Sequence, residues 1–441
     1  MMTKNYLFSI AAALCLWACG DKENNVLTPE PVVPVQDEPT PIKPVGPEEP
    51  EEPETRHSYK PVQLNEKEQA INAKLHEFSW KLFKEVYRGR KNGENLMISP
   101  ISLEVDLGMF LNGLEGNSYQ ELLKTMGLQD YSKQELNSFF QTMMTGIEKA
   151  DEAAIFKGAN AFWYNQHWEA SQDFLNAIKS YFAAKAEAVD FSDPKTKDII
   201  NAWCAEQTND RIRDMVDSTN EQDVFHLMNA VYFKAGWDKP FDKQLTAKMP
   251  FHYADGHSEE VDMMHDMYEG AYAETEQYQL GVRPFVDGAF QMVFILPKEG
   301  VSIEDIIPEV LDYKVSATAE YYQGKPEFYE IELMAPKFTS EYTEEHLFNY
   351  MKAINPNLSI STQDLCLMKE KEDVDLSALQ KTFFLMDEEG AEAAAVTDII
   401  AKATSAGPAA RVVQLRLDRP FIYAIVETNT SCPLFIGYYG K

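Results

Sequence analysis

An α+β fold in one large domain is the architecture this sequence predicts, and three observations carry it. Runs with helical spacing and runs with strand alternation are interspersed from Leu64 onward. The middle and the C-terminal part are rich in strand-like runs bounded by turn residues. No internal repeat and no composition break divides residues 64–441, a body of about 375 residues.

The chain before that body has a different texture. Lys4, the apolar run Leu7–Leu16 and the ending Leu16-Trp17-Ala18-Cys19 predict a signal peptide over residues 1–18, too short to span a bilayer comfortably. The ending resembles a bacterial lipobox, which implies a lipid on Cys19 as the new N-terminus; Trp17 is bulky for its place, and an ordinary signal without lipid is the alternative. Residues 19–63 form the expected tether. From Asn24 to Arg56 they are mostly Pro, Glu and Val, as in Pro47-Glu48-Glu49-Pro50, a composition that cannot bury enough apolar surface to offset its ordering entropy. These features place the protein in a bacterial cell envelope, as an outer-membrane lipoprotein at the surface or in the periplasm, touching membrane only through its lipid.

In the body, Ile71, Leu75, Phe78, Leu82 and Val86 predict an amphipathic helix. Asn95–Ile98 is a short apolar run. Ser99-Pro100 then offers an N-cap oxygen and a Pro at the first helical position for a buried helix to Leu111, and Ser118–Glu121 has capping-box spacing for another. Strands are expected over 154–164 and 224–234, and helices over 170–182 and 195–207. Between Met249 and Pro297 the pattern is hairpin-like, with turns at Asp255-Gly256 and Asp287-Gly288. A helix over 303–311 follows, with strands over 328–338, 382–386, 411–417, 421–427 and 433–439.

One stretch, Asp387 to Ser405, reads two ways. Ala, Glu and Lys favour helix. At period two it is an equally good strand, with Ala391, Ala393, Ala395, Thr397 and Ile399 small or apolar and the acids Glu392 and Asp398 on the opposite face. With Gly390 near its start as a candidate hinge, it is a candidate moving part.

Several function classes are disfavoured. A net charge of −31 argues against nucleic acid or an anionic membrane surface as partner. Cys204, Cys366 and Cys432 are odd in number and widely spaced, so buried free thiols are expected. His252, His257 and His265 lie near Glu259, Glu260 and Asp262 in no closed zinc pattern, so neither metal nor cofactor is expected. No Gly-x-Ser-x-Gly, His-Glu-x-x-His or phosphate-cradling loop occurs, and an enzyme is not expected.

Sequence motifs spread over the whole body resemble those of the serpin family of serine-protease inhibitors. They are Asn95-x-x-x-Ser99-Pro100-x-Ser102, Ala159-Asn160-Ala161, Val189-Asp190-Phe191, Asn229–Lys234 with Trp237 and Pro240-Phe241, and Pro336-Lys337-Phe338. The C-terminal set is Glu388-Glu389-Gly390-x-Glu392-Ala393-Ala394-Ala395, Asp418–Phe421 and Leu434-Phe435-x-Gly437.

The resemblance implies about nine helices, three β-sheets and an exposed reactive loop over residues 388–410. It also implies a monomeric suicide inhibitor of serine endopeptidases, with cysteine endopeptidases as a further target class. A protease would cut the loop, and the loop would then insert as a new strand and trap the acyl-enzyme. The implied hinge is Glu388, Glu389, Gly390, Ala391, Glu392, Ala393, Ala394 and Ala395, with Ala391 standing where the family usually has Thr. By family spacing the attacked bond is Thr404–Ser405, which suits an elastase- or subtilisin-like target; Lys402, for a trypsin-like one, and Ala403 are the alternative anchors. Ser99, Ser102, Asn229 and Gln380 match the polar cluster beneath the opening sheet, Gln380 replacing the common His. Trp237, Lys337 and Glu388 match its upper end. A non-inhibitory binding protein of the same fold is the rival reading, and Gly390 with the small residues after it argues against it.

Overall fold

The structure is a computed structural model, and it describes residues 59–91, 94–312, 329–369, 378–391 and 411–440. The expected signal peptide, Cys19 and all but the last residues of the tether lie outside them. So do Glu392, Ala393, Ala394, Ala395, Lys402, Ala403, Thr404 and Ser405.

Helix α1 (Glu66–Gly89) begins in a capping box: the Asn65 side chain accepts from Lys67 N and Glu68 N, and Glu68 Oε2 accepts from Asn65 N at 2.9 Å. Its predicted apolar stripe is fully buried. Strand β1 (Leu96–Ile98) leads into α2 (Pro100–Asn112), which is buried nearly all round. Ser99 takes the N-cap position but does not cap: its hydroxyl donates to Leu434 O at 2.7 Å, because the strand beneath α2 offers a buried carbonyl.

The expected capping box at Ser118 is also displaced. Helix α3 (Gly116–Thr125) starts two residues earlier, and Ser118 donates through both N and Oγ to the Asp364 carboxylate, a cap supplied by a distant segment. Helix α4 (Lys133–Glu148) carries its own capping box, Ser132 with Glu135.

Strand β2 (Ile155–Asn165), α5 (Gln172–Phe182), β3 (Lys185–Val189), α6 (Lys195–Gln207) and β4 (Phe225–Gly236) follow. The hairpin region gives β5 (Ala247–His252), β6 (Ser258–Gly270), β7 (Tyr272–Glu274), β8 (Tyr278–Pro284) and β9 (Phe290–Pro297), with positive φ at Gly256, Asp287 and Gly288 in the turns. After α7 (Ile303–Asp312), the strand expected over 328–338 forms as β10 (Tyr329–Pro336), and past Lys337 a strand that was not expected, β11 (Phe338–Glu344), follows in a different sheet. Helix α8 (Leu347–Ile354), β12 (Gln380–Met386), β13 (Gly390–Ala391), β14 (Arg411–Arg416), β15 (Phe421–Glu427) and β16 (Pro433–Tyr439) complete the described chain.

Three sheets result. Sheet A has the order β11-β12-β13-β4-β2-β3, sheet B β1-β16-β15-β9-β8-β7 and sheet C β14-β10-β6-β5. Eight α-helices occur among the described residues. Sheet A packs on sheet B through aromatic rings: Phe338 lies 4.6 Å from Tyr439, and Phe384 5.5 Å from Tyr423, between centroids. On the opposite face of sheet A a separate core forms where Ile200, Trp203 and Cys204 of α6 meet Trp163, Met228 and Ala230.

Candidate functional site

The site is a slot in sheet A. Strands β4 and β12 run parallel, and β13 lies between them antiparallel to both, with Ala391 opposite Ala235 on one side and Met386 on the other. Among the described residues β4 and β12 form no ladder with each other; the two-residue β13 is the only link. Below it a small cavity is lined by Val231 and Phe233 on one rim and by Phe384 and Leu385 on the other. The residues of β12 alternate, with Gln380, Thr382, Phe384 and Met386 buried and Lys381, Phe383 and Leu385 half-buried, as expected of a strand between two packed layers.

Gly390 and Ala391 are therefore built into the sheet, whereas the reactive loop was expected to be exposed from residue 388. Gly390 has φ +155°, and a Cβ there would lie 2.2 Å from Ala235 O, so no other residue fits without moving backbone. Ala391 is 0% exposed.

At the upper end of the slot the predicted residues Trp237, Lys337 and Glu388 come together. Trp237 is buried, its indole Nε1 donates to Asp387 O at 2.9 Å, and its ring stacks on Phe285 at 4.6 Å. Trp237 N donates to Glu389 O and Phe241 N to Glu388 O, at 2.9 and 2.8 Å. Glu388 accepts from Lys337 Nζ at 2.8 Å and from Thr246 Oγ1 at 3.0 Å. Burial by itself would raise the Glu388 pKa; the Lys337 ammonium, a backbone N–H and the Thr246 hydroxyl outweigh it and hold it below the ordinary carboxylate value. Lys337 is shifted upward in turn, chiefly by its bond to Glu388. Glu389 pairs outward with Lys243.

At the lower end Ser99, Ser102, Asn229 and Gln380 also converge, though in two pairs on opposite rims. Gln380 bonds Ser99 in both directions: its Oε1 accepts from Ser99 N and its Nε2 donates to Ser99 O, each at 2.8 Å. Ser102 Oγ donates to Asn229 O at 3.5 Å, a long bond. Asn229 Nδ2 donates to Asn160 Oδ1 at 2.7 Å. Neighbouring Thr382 donates to Met97 O at 2.9 Å.

Thr246, Lys243 and Thr382 belong to this site without having been singled out in the sequence. The three histidines weighed as metal ligands are held apart: His252 bonds Ser258, His257 sits beside Asp255 and His265 faces Glu332. Among the described residues no three potential ligands form a metal-binding group.

Comparison with known proteins gives a single answer. The profile of a family described as serpin (serine protease inhibitor) matches residues 73–440. Neuroserpin of Rattus norvegicus is 27% identical over 363 residues, covering 79% of this chain and 87% of that protein. Serine protease inhibitor 42Dd of Drosophila melanogaster is 29% identical over 357 residues, covering 79% and 92%. Among solved structures, the native state of the thermophilic serpin tengpin superimposes with a TM-score of 0.73 at 28% identity, over 88% of this chain and 98% of that one. Thyroxine-binding globulin in complex with thyroxine shares the fold at 23% identity and a TM-score of 0.70, over 85% and 99%.

Proposed function

The chain belongs to the serpin family, and we propose that it is an inhibitory member that traps serine endopeptidases by inserting its cleaved reactive loop into the slot of sheet A. The observation that carries this reading is the position of β13. Gly390 and Ala391 of the loop's hinge already occupy the top of a slot whose rims are otherwise unpaired with each other among the described residues.

In the proposed reaction the target protease's serine attacks the carbonyl carbon of Thr404, and Ser405 leaves as the new N-terminus, giving an acyl-enzyme. The inhibitor supplies no catalytic group. The freed segment then continues β13 downward. Extending the register of Ala391 would bring Ala393 level with Phe233 and Phe384, and Ala395 level with Val231 and Thr382. Methyl side chains fit between those residues with little steric cost. A strand of about a dozen residues gains backbone bonds at a net ~0.5–1.5 kcal/mol each, a driving force on the order of 10 kcal/mol. That force pulls the protease along and distorts its active site before water can release it. Glu388 with Lys337 and Thr246 would gate the top of the slot, and Ser99, Ser102, Asn229 and Gln380 its lower end.

Neuroserpin and serine protease inhibitor 42Dd, the latter named as a protease inhibitor, are the relatives that favour this reading. Small-residue-specific proteases of the elastase or subtilisin kind are the proposed targets, with trypsin-like enzymes at Lys402 as the alternative. The protein is further proposed to be a monomer tethered to a bacterial envelope through a lipidated Cys19, which the mass of its N-terminal peptide would test.

The deciding experiment incubates the protein with elastase-, subtilisin- and trypsin-like proteases. It scores SDS-stable complexes and the mass of the released C-terminal peptide. A peptide beginning at Ser405 and a stable complex are expected. Cleavage by every protease with no stable complex would leave a non-inhibitory binding protein of the same fold.

A further inference from the structure

Ahead of α1 the chain runs over the body as a short strap, residues 59–64, that forms neither helix nor strand. Pro61 has no N–H to give to a ladder, and the strap is held at separate points instead. Lys60 N donates to Ala150 O at 2.7 Å, just past the end of α4. The Val62 side chain is 2% exposed and packs on Gly146 of α4, while Val62 O accepts from Asn429 Nδ2 at 2.7 Å. Beside the strap runs an open groove lined by Gln63, Gln141, Thr145 and Lys149.

The two residues that receive Val62 are suited to holding it. Gly146 lies in the last turn of α4, and a Cβ there would lie 2.8 Å from Val62 Cγ1, so a glycine is what lets the strap come this close. Asn429 sits in the turn between β15 and β16, which is braced from three directions. Within the turn, Glu427 Oε2 accepts from Thr430 N at 2.7 Å and from Thr430 Oγ1 at 2.5 Å. Thr428 N donates to Ala289 O at 2.9 Å, and Asn72 of α1 donates through Nδ2 to Thr430 O at 2.8 Å. A braced side chain thus grips a strap that has no ladder of its own.

We propose that residues 59–64 are a clasp that closes the joint between the N-terminal tether and the body to proteases, with Gly146 as its seat and Asn429 as its catch. The inference rests on the tether read from the sequence and not on loop insertion, so it stands or falls apart from the inhibitory reading. A protease cuts a segment that has left the surface, at a rate set by the open fraction when opening is fast. Held at both Lys60 and Val62, the strap offers its bonds only after it lifts. A cut there would part the body from the chain that precedes it. The clasp also guards the start of α1, whose capping box begins at Asn65 and whose Ile71, Leu75 and Phe78 are buried in the core.

The test uses the full-length protein and thermolysin, a zinc metalloprotease that forms no serine acyl-enzyme. Mass spectrometry follows the fragments that begin at Val62 or Leu64 in wild type, Asn429→Ala and Gly146→Ala. Asn429→Ala strands the Val62 carbonyl and is expected to raise their rate of appearance about tenfold. Gly146→Ala is expected to raise it by about tenfold or more, since its methyl group pushes Val62 from its seat. Alanine favours helix over glycine, so the urea midpoint of Gly146→Ala should stay at or near that of wild type, which separates lifting of the strap from general unfolding. The clasp is overturned if Gly146→Ala is cut no faster, if its faster cutting comes with a lower urea midpoint, or if folded Asn429→Ala matches wild type. It is equally overturned if wild type is cut there as fast as urea-unfolded protein. Gly146→Ala decides alone should Asn429→Ala not fold. The presence or absence of an SDS-stable complex with a serine protease bears on the inhibitory reading only.

Discussion

Glu104 shows how one buried residue contributes to the pH response of the protein. It is 2% exposed in the middle of α2, and its neighbour Ser79 donates to it at 2.6 Å. Burial, opposed only by that bond, raises its pKa from the ordinary 4.5 to about 8. A carboxyl with a raised folded-state pKa binds more protons folded than unfolded, so its contribution is fully present below the unfolded value and is lost as pH rises through the folded one. Stability should fall between roughly pH 4.5 and 8 by something on the order of 4 kcal/mol. Urea midpoints across that range should show the decline, and Glu104→Gln should flatten it. An undiminished slope in the variant would assign the effect elsewhere. In the hinge, Ala391 has no space for a larger side chain. Ala391→Arg should leave the loop cleavable and shift the outcome from trapping to turnover by about tenfold or more, as overpacking costs of ~1–3 kcal/mol imply. Titration of a target protease with the variant reads this directly, and an unchanged stoichiometry of inhibition would contradict it.

Elements differed in how much of them could be read locally. Helix α1, α6 and the closing strands β15 and β16 emerged within a residue or two of their observed bounds, because periodicity and caps are local properties. The start of α3 did not: its cap is Asp364, 246 residues away from Ser118, and no local pattern announces it. Asp364→Ala should therefore destabilise the protein by about 1–2 kcal/mol, the usual range for a lost N-cap, measured as a lower urea midpoint with unchanged slope. Strand β11 was equally hidden: past Lys337 the strand partners change, from β6 and β14 to β12, and that change is a property of the sheets and not of the local sequence. Gln380 illustrates the site. Its place opposite a polar cluster was legible from motif order, but its two-way bond to Ser99 spans 281 residues and depends on how sheet A lies on sheet B.

For the molecule as a whole, the proposed mechanism requires that the slot can gain a strand. Cleavage of the loop by a non-target protease should raise the melting temperature well above that of intact protein, since an inserted strand adds a driving force on the order of 10 kcal/mol. Scanning calorimetry before and after cleavage checks this, and coincident transitions would count against insertion.

The sequence alone determined the α+β class, the order and spacing of the serpin motifs, and the period-two blandness of the segment after Gly390, because each is written in neighbouring residues or in a fixed order of short motifs. Tertiary structure alone decided that Gly390 and Ala391 lie inside the sheet, that Glu388 meets Thr246 as well as Lys337, and that Gln380 bonds Ser99 in both directions. Those contacts join segments far apart in the chain. Their energies come from burial and hydrogen-bond competition at one place in space, which no local pattern records.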